Sequence, residues 1–435
     1  MVKQELSIYW FRRDMRLEDN HGLFRALSNG DKVLPLFIFD KEILDKLPAK
    51  DARVQFIHRE LLKIKGQLEQ VGSSLIIRYG QVDEIWKDLN DQYTVKAVYA
   101  NRDYESYARS RDERIYHFLK NSGIPFKAYK DQVIFEKSEV VKDDGKPYMV
   151  FTPYMRRYKQ LLTEAHLSPF PSASLMEEFV KIEPSNVPGL AEMGFQTFPF
   201  DYPSAEFPKV IIGKYHEQRD IPSIKGTSRL SLHLRFGTIS IRALASLARA
   251  ENEKYFNELI WRDFYQSIIF HFPHSEKGSF RKEYDAIEWE NDEVQFEQWC
   301  AGKTGYPLVD AGMRELNETG FMHNRVRMVV ASFLTKHLLI DWRWGETYFA
   351  EKLLDYELAS NVGGWQWAAG SGVDAAPYFR VFNPSLQMDK FDPEKRYVKK
   401  WVPEYGTSHY PKPIVDHKEA RLRAIARYKQ TLKPD

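Results

Sequence analysis

Short apolar runs alternate with amphipathic stretches over the first part of the chain. Runs at 6–11, 33–39, 74–79, 95–100 and 124–129 are rich in β-branched and aromatic residues, whereas 53–71 and 107–121 repeat apolar residues at helical spacing. This alternation predicts a doubly wound parallel α/β sheet, because parallel strands need helical crossovers between them. From about 132 to 208 the pattern loosens, with prolines at 169, 171, 184, 188, 199 and 203. That stretch reads as a connector. Beyond it helical spacing dominates, for example at 239–250, 257–270, 325–339 and 348–358. The predicted organisation is an α/β domain over 1–131, a connector over 132–208 and an all-helical domain over 209–435.

Composition narrows the function classes. At 435 residues, with 43% hydrophobic and 29% charged residues, the chain has a globular composition large enough for two domains and a buried cofactor. No apolar run approaches the roughly 18 residues of a membrane span. One cysteine, Cys300, excludes an intrachain disulfide framework, and the chain enters its first strand run without a signal segment, so a cytoplasmic protein is expected. A net charge of +2 gives no global attraction to nucleic acid, so any such contact must come from a local patch. The basic stretch 421–429 reads as a solvated helix face rather than a nucleic-acid arm. Aromatic residues reach 14%, and eight of ten tryptophans lie at or beyond Trp261.

Several common chemistries fail on spacing. Gly302-Lys303-Thr304 resembles the end of a phosphate loop, but position 297 is Glu where that loop needs Gly. His271 and His274 lack the partners of a zinc site, so no metal is expected. The glycines at 363–364 and 370–372 do not follow a strand, as a dinucleotide fingerprint would require.

Five ordered stretches do carry a signal: Gly226-Thr-Ser-Arg-Leu-Ser231, Asn257-Glu-Leu-Ile-Trp-Arg262, Thr304-Gly-Tyr-Pro307, Met322-His-Asn-Arg-Val-Arg-Met328 and Asn361-Val-Gly-Gly-Trp-Gln-Trp-Ala-Ala-Gly370. Together with Trp10-Phe-Arg-Arg-Asp-Met-Arg-Leu17 they resemble the photolyase and cryptochrome family, most closely its class I cyclobutane pyrimidine dimer photolyases. The resemblance spans essentially the whole chain. It implies FAD in the helical domain and light-driven splitting of pyrimidine dimers in DNA, by electron transfer from reduced FAD to a dimer flipped out of the duplex. It implies a monomer with no membrane partner.

Helical geometry agrees with the roles the resemblance implies. Asn361 and Trp365 are four apart and share a face, while Trp367 turns roughly to the opposite side. The family places Asn361 at the flavin ring edge, Trp365 as first electron donor and Trp367 on the lesion-pocket wall. Trp342 and Trp289 match the remainder of its tryptophan chain. Glu258 and Trp261, three apart, can enter one cavity; the family stacks the tryptophan on the dimer and hydrogen-bonds the carboxyl to its base edge. A carboxyl in such a desolvated pocket should resist ionisation. In the 322–328 stretch, Asn324, Arg325 and Met328 share a face and match lesion or DNA contacts, whereas Arg327 turns away to pair with Asp355. Arg219 matches a further DNA contact. Tyr215, Thr227, Ser228, Arg229, Leu230, Ser231, Tyr255, Arg262, Tyr356 and Glu357 match FAD-contacting positions, the hydroxyls being suited to phosphate.

Three positions depart from the family pattern: Tyr255 and Phe321 stand where Trp is common, and Glu357 where Asp is frequent. In the family the first domain can carry an antenna chromophore; folate, deazaflavin or none all remain open here, with Glu105 at a folate-contacting position. Two rival readings remain within the family. A signalling cryptochrome is disfavoured by Asn rather than Asp at 361, by the pocket pair Glu258 and Trp261, and by the short C-terminus. A (6-4) photolyase would carry an extra His where Met322 and Met328 stand.

Overall fold

The strands β1 (Glu5–Phe11), β2 (Val33–Asp40), β3 (Ile76–Gly80), β4 (Thr94–Asn101) and β5 (Phe126–Tyr129) form one parallel sheet in the order β3-β2-β1-β4-β5. In this computed structural model, which describes residues 3–432, β2 is buried along its whole length and β1 from Leu6 onward. Helices on both faces require that continuous burial, and it explains why these strands read as apolar runs rather than alternating ones. The crossovers include helices Ala52–Glu69, Val82–Gln92 and Ser106–Asn121.

The chain divides into two compact units, each drawn from separate stretches. The first takes the chain up to Glu136 together with Leu162–Phe207 and Arg229–Leu247; the second takes Lys137–Leu161, Pro208–Ser228 and everything from Ala248 onward. Buried charge fixes Arg229–Leu247 to the sheet unit. Arg242 donates from Nε to Asp19 Oδ1 (2.8 Å) and from Nη2 to Asp131 Oδ1 (2.7 Å), while Arg16 Nη2 reaches Asp131 Oδ2 at 2.7 Å. Gly237 turns the chain there at φ +64°, where a Cβ would lie 2.2 Å from the Arg13 carbonyl oxygen. No other residue fits that approach.

The second unit is helical. Its framework comprises Glu253–His271, Pro307–Thr319, Asn324–Ser332, Trp342–Lys352, Leu358–Ala369 and His417–Thr431. Asn252, His323 and Asp341 cap the first, third and fourth of these by accepting from backbone N–H groups of the opening turn. Their packed faces share a core that includes Trp299, Phe333, Leu334, Trp342, Phe349 and Trp365. The last helix exposes Arg421 and Leu422 and buries Ala420, Ala424 and Tyr428. No helix among the described residues is long and apolar enough to cross a membrane.

Two expected helices have different limits. The one expected over 325–339 is α-helical only to Ser332 and continues as a wider π turn, Phe333–His337, before Leu339 takes a left-handed backbone at φ +49°. The one expected over 348–358 begins at Trp342, after its Asp341 cap, and stops at Lys352. There the backbone is captured from outside, as Leu354 N donates to Gly320 O at 3.0 Å. The resulting loop carries Asp355, Tyr356 and Glu357.

Candidate functional site

Helix Glu253–His271 contributes one wall of the candidate site. Glu258 and Trp261 lie on it, both half-buried, with Arg262 buried. A phenyl ring from the Phe151–Leu161 helix covers one face of the Trp261 indole: the Phe151 ring stacks on it at 3.7 Å and 7°. Phe151 is anchored in turn by its N–H to Asp374 Oδ2 (3.3 Å). A planar ligand meeting Trp261 therefore has one face to stack on. Glu258 Oε1 accepts from Arg219 Nη1 at 2.5 Å. Burial raises the Glu258 carboxyl above its ordinary pKa although Arg219 opposes the shift, as the desolvation argument predicts.

A second wall comes from helices Asn324–Ser332 and Leu358–Ala369. Arg325 donates to Asp220 Oδ1 from Nη2 (2.8 Å) and Nε (3.1 Å), and its Nη1 lies 3.8 Å from Met328 Sδ, so Arg325 and Met328 share a face. Asn324 is exposed at the start of that helix. Arg327 turns away and meets both Asp355 oxygens at 3.1 Å. On Leu358–Ala369, Trp365 is buried and Trp367 half-buried, the Trp367 ring lying 6.5 Å from Phe382. Glu357 sits at the N-cap of this helix and binds Arg262 Nη2 at 2.8 Å, both side chains buried.

The carboxamide of Asn361 has a defined orientation. Its Nδ2 donates to Glu346 Oε1 (2.9 Å) and to the Glu346 carbonyl (3.2 Å), which uses both amide hydrogens and leaves Oδ1 as an acceptor. Tyr356 OH also donates to Glu346 Oε1, at 3.3 Å. Burial raises the Glu346 carboxyl pKa.

Trp365 and Trp342 lie in one buried cluster, with half-buried Trp289 packed against it. Trp365 meets Phe349 edge-on at 5.0 Å and Trp299 at 6.1 Å. Its outer edge presses on Gly345, where a Cβ would lie 2.1 Å from Trp365 Cη2 and 2.6 Å from Leu334 Cδ2. Gly345→Ala should therefore destabilise the protein by up to about 2 kcal/mol, since overpacking costs roughly 1–3 kcal/mol against the roughly 1 kcal/mol of helix propensity gained. A urea titration measures it; a stabilised variant would show that the Trp365 ring moves freely.

The FAD-matching positions fall in both units. Tyr215, Thr227, Ser228 and Tyr255 belong to the second, where Ser228 Oγ and Tyr255 OH are 2.8 Å apart and the Tyr215 and Tyr255 rings meet edge-on at 5.1 Å. Arg229, Leu230 and Ser231 belong to the first, Arg229 at φ +54° and Leu230 buried. So does Glu105, whose Oε1 accepts from Arg13 (2.8 Å) and Arg235 (3.1 Å). The donor set of the second unit suits a flavin nucleotide. Thr227 and Ser228 offer hydroxyls for phosphate, Asn361 offers an oriented amide oxygen for a ring N–H, and Arg327 with Asp355 offers a fixed ion pair. Among the described residues no group of three or more His, Cys, Asp or Glu could hold a metal.

Sequence reasoning did not single out Phe151, Asp220 or Glu346. Each reaches the site from an element whose own pattern carries no special feature, and only tertiary packing reveals it.

Comparison with known proteins identifies the family. Two family models match, one described as the FAD binding domain of DNA photolyase over residues 255–408, the other as DNA photolyase over residues 7–174. Proteins named deoxyribodipyrimidine photo-lyase are similar along their whole length. That of Synechococcus sp. is 36% identical over 97% of this chain and 96% of its own; that of Escherichia coli is 36% identical over 98% and 99%. Among solved structures, a class III photolyase from Agrobacterium tumefaciens superposes with a TM-score of 0.88 at 34% identity, covering 100% of this chain and 99% of that one. An archaeal photolyase from Sulfolobus tokodaii, solved with two FAD molecules, gives 0.81 at 36% identity, covering 98% and 100%.

Proposed function

The chain belongs to the DNA photolyase family, and on that premise we propose that it repairs cyclobutane pyrimidine dimers in DNA with light absorbed by bound FAD. It is an enzyme of the deoxyribodipyrimidine photo-lyase type, a carbon–carbon lyase. The observation that carries the reading is the grouping, within one unit, of Trp261 and the Glu258 carboxyl with Asn361 and the buried tryptophan cluster. When bound, reduced FAD supplies the electron that opens the dimer and takes it back.

The protein residues bind, orient and exclude water. Trp261, backed by Phe151, presents one flat face to an extruded pyrimidine pair, and Trp367 supplies an apolar wall. Stacking of this kind contributes roughly 1–3 kcal/mol per base. Glu258, whose carboxyl burial pushes above its ordinary pKa, meets a base edge of the dimer. Asn361, held by Glu346, turns its amide oxygen to the flavin ring edge. Arg327 and Asp355 present a fixed ion pair beside the flavin, and Arg262 with Glu357 a second. Thr227 and Ser228 take a phosphate of the nucleotide; Arg229, Leu230 and Ser231 continue the same segment. Arg219, Asn324, Arg325 and Met328 meet the lesion strand. The reading needs no second subunit. Glu105 is the candidate contact for a folate antenna.

The test is light-dependent loss of dimers from an irradiated thymine oligonucleotide, followed by chromatography with the flavin chemically reduced. Repair under blue or near-ultraviolet light and none in the dark is expected. Repair of (6-4) products in place of dimers would overturn the substrate assignment.

A further inference from the structure

Arg219 and Asp220 are neighbours in sequence, yet each is tied to a different wall of the candidate site. Arg219 donates to Glu258 on helix Glu253–His271, and Asp220 accepts from Arg325 on helix Asn324–Ser332. Each guanidinium also lies over an aromatic ring, Arg219 over Tyr215 at 5.1 Å and Arg325 over Phe391 at 4.4 Å. In the free protein Arg219 is thus engaged by the pocket carboxyl, and Arg325 by Asp220.

These pairs are not sealed. The Arg219 and Glu258 side chains remain 26% and 32% exposed, and those of Arg325 and Asp220 20% and 42%. Because these pairs remain partly open to water, an arriving DNA phosphate can compete for the arginine. Glu258 is different. With Arg219 on Oε1 it acts as a carboxylate, whereas donating to a pyrimidine edge requires a proton.

We propose that binding of a dimer separates Arg219 from Glu258, the arginine passing to a DNA phosphate and the carboxyl taking one proton from solvent as it turns to the base edge. The proposal rests on the reading that Glu258 lines the lesion pocket, and it adds that lesion recognition consumes a proton. One O–H bond forms on Glu258, the proton comes from the buffer, and no electron moves.

The charged and titratable groups around Glu258 agree on the direction. Arg219 and, from its own helix, Lys254 hold its pKa down; burial and Asp220 push it up. Tyr215 and Tyr255 face it as well, both raised by burial, Tyr255 to about 12, and Tyr265 on the same helix is raised likewise. None of these phenols ionises near neutral pH. Arg325 is occupied by Asp220, and burial pushes neighbouring His323 down to about 4, so it stays neutral. Departure of Arg219 removes the chief opposing charge, and arriving phosphates and excluded water both raise the carboxyl further. The bound form thus has the higher pKa. The complex gains its proton between the free and bound values, and affinity for dimer DNA falls as pH rises through that window, by up to about tenfold per pH unit for one proton.

Titration calorimetry of the FAD-loaded protein in the dark counts the proton. A duplex with one dimer is titrated in two buffers of equal pH and different ionisation enthalpy, alongside the same duplex undamaged. Uptake approaching one proton is expected with the dimer and far less with undamaged DNA. Glu258→Gln should abolish the difference. Arg219→Gln should shrink it although Glu258 is intact, because without Arg219 the carboxyl's pKa in the free protein already lies closer to that of the complex. Equal uptake by the unaltered protein and Glu258→Gln overturns the proposal. If that variant also binds dimer DNA more weakly, the pocket reading survives and only the proton coupling falls. If its affinity and repair yield are both unchanged, the pocket reading falls as well.

Discussion

Replacing Trp342 by phenylalanine is expected to slow photoreduction of the oxidised flavin at least about tenfold, a barrier change of about 1.4 kcal/mol or more, while repair by chemically reduced protein continues. The expectation rests on what the substitution preserves. Trp342 is fully buried in the same cluster as Trp365, and its Nε1 has no hydrogen-bond partner. Phenylalanine therefore costs packing but no polar contact. What it loses is an indole, which gives up an electron far more readily than a benzene ring. On the proposed route from half-buried Trp289 through Trp342 to Trp365, the middle position must carry an oxidisable ring. Repair does not use that path, because the electron returns to the flavin in each cycle. Absorbance of the bound flavin under blue light with an external reductant measures the first property, and dimer loss after dithionite reduction measures the second. Undiminished photoreduction would remove Trp342 from the route and direct attention to Trp299, whose ring lies 6.1 Å from Trp365.

The parts of this molecule legible in its sequence are those set by local periodicity. The buried β1 and β2 announce themselves as continuous apolar runs, and the sheet observed is the parallel one that such runs between amphipathic helices require. A pair on a single helix is equally legible: Arg325 and Met328 are brought together by helical spacing. Partners from distant elements are not. Phe151 lies in a stretch that reads as a connector, because its prolines and loose pattern hide a short helix whose first ring stacks on Trp261. Glu346 resembles any helix glutamate until Asn361 is found against it. Helix ends fail for the same reason. Nothing local tells Leu354 that Gly320 will take its N–H, and a helix expected over 348–358 ends early on that account.

Asp131→Ala should give the largest loss of stability of any substitution considered, about 3–5 kcal/mol out of the roughly 5–15 kcal/mol typical of a folded protein. Asp131 is 1% exposed and serves two arginines that are also buried, Arg16 at 9% and Arg242 at 4%. Two cations out of water are tolerable only with their carboxylate, and removing it leaves Arg16 with carbonyl oxygens alone, those of Gly237 and Asp19. Arg242 keeps Asp19, so Asp131→Asn, which retains an acceptor, should cost less. The consequence reaches beyond the sheet, since Arg242 anchors the stretch Arg229–Leu247 that carries Arg229, Leu230 and Ser231. The pH dependence follows from the direction of the shift. Burial alone would raise the Asp131 pKa, but Arg16 and Arg242 overcome it and hold the carboxyl below its usual range. A carboxylate whose folded pKa is depressed contributes fully above its unfolded value of about 3.9, and the contribution is lost as pH falls through the lower folded value. Urea midpoints of the unaltered protein and Asp131→Ala should therefore differ most near neutrality and converge below about pH 4. A difference that stays constant into acid would mean that lost packing, not the charge on Asp131, sets the cost.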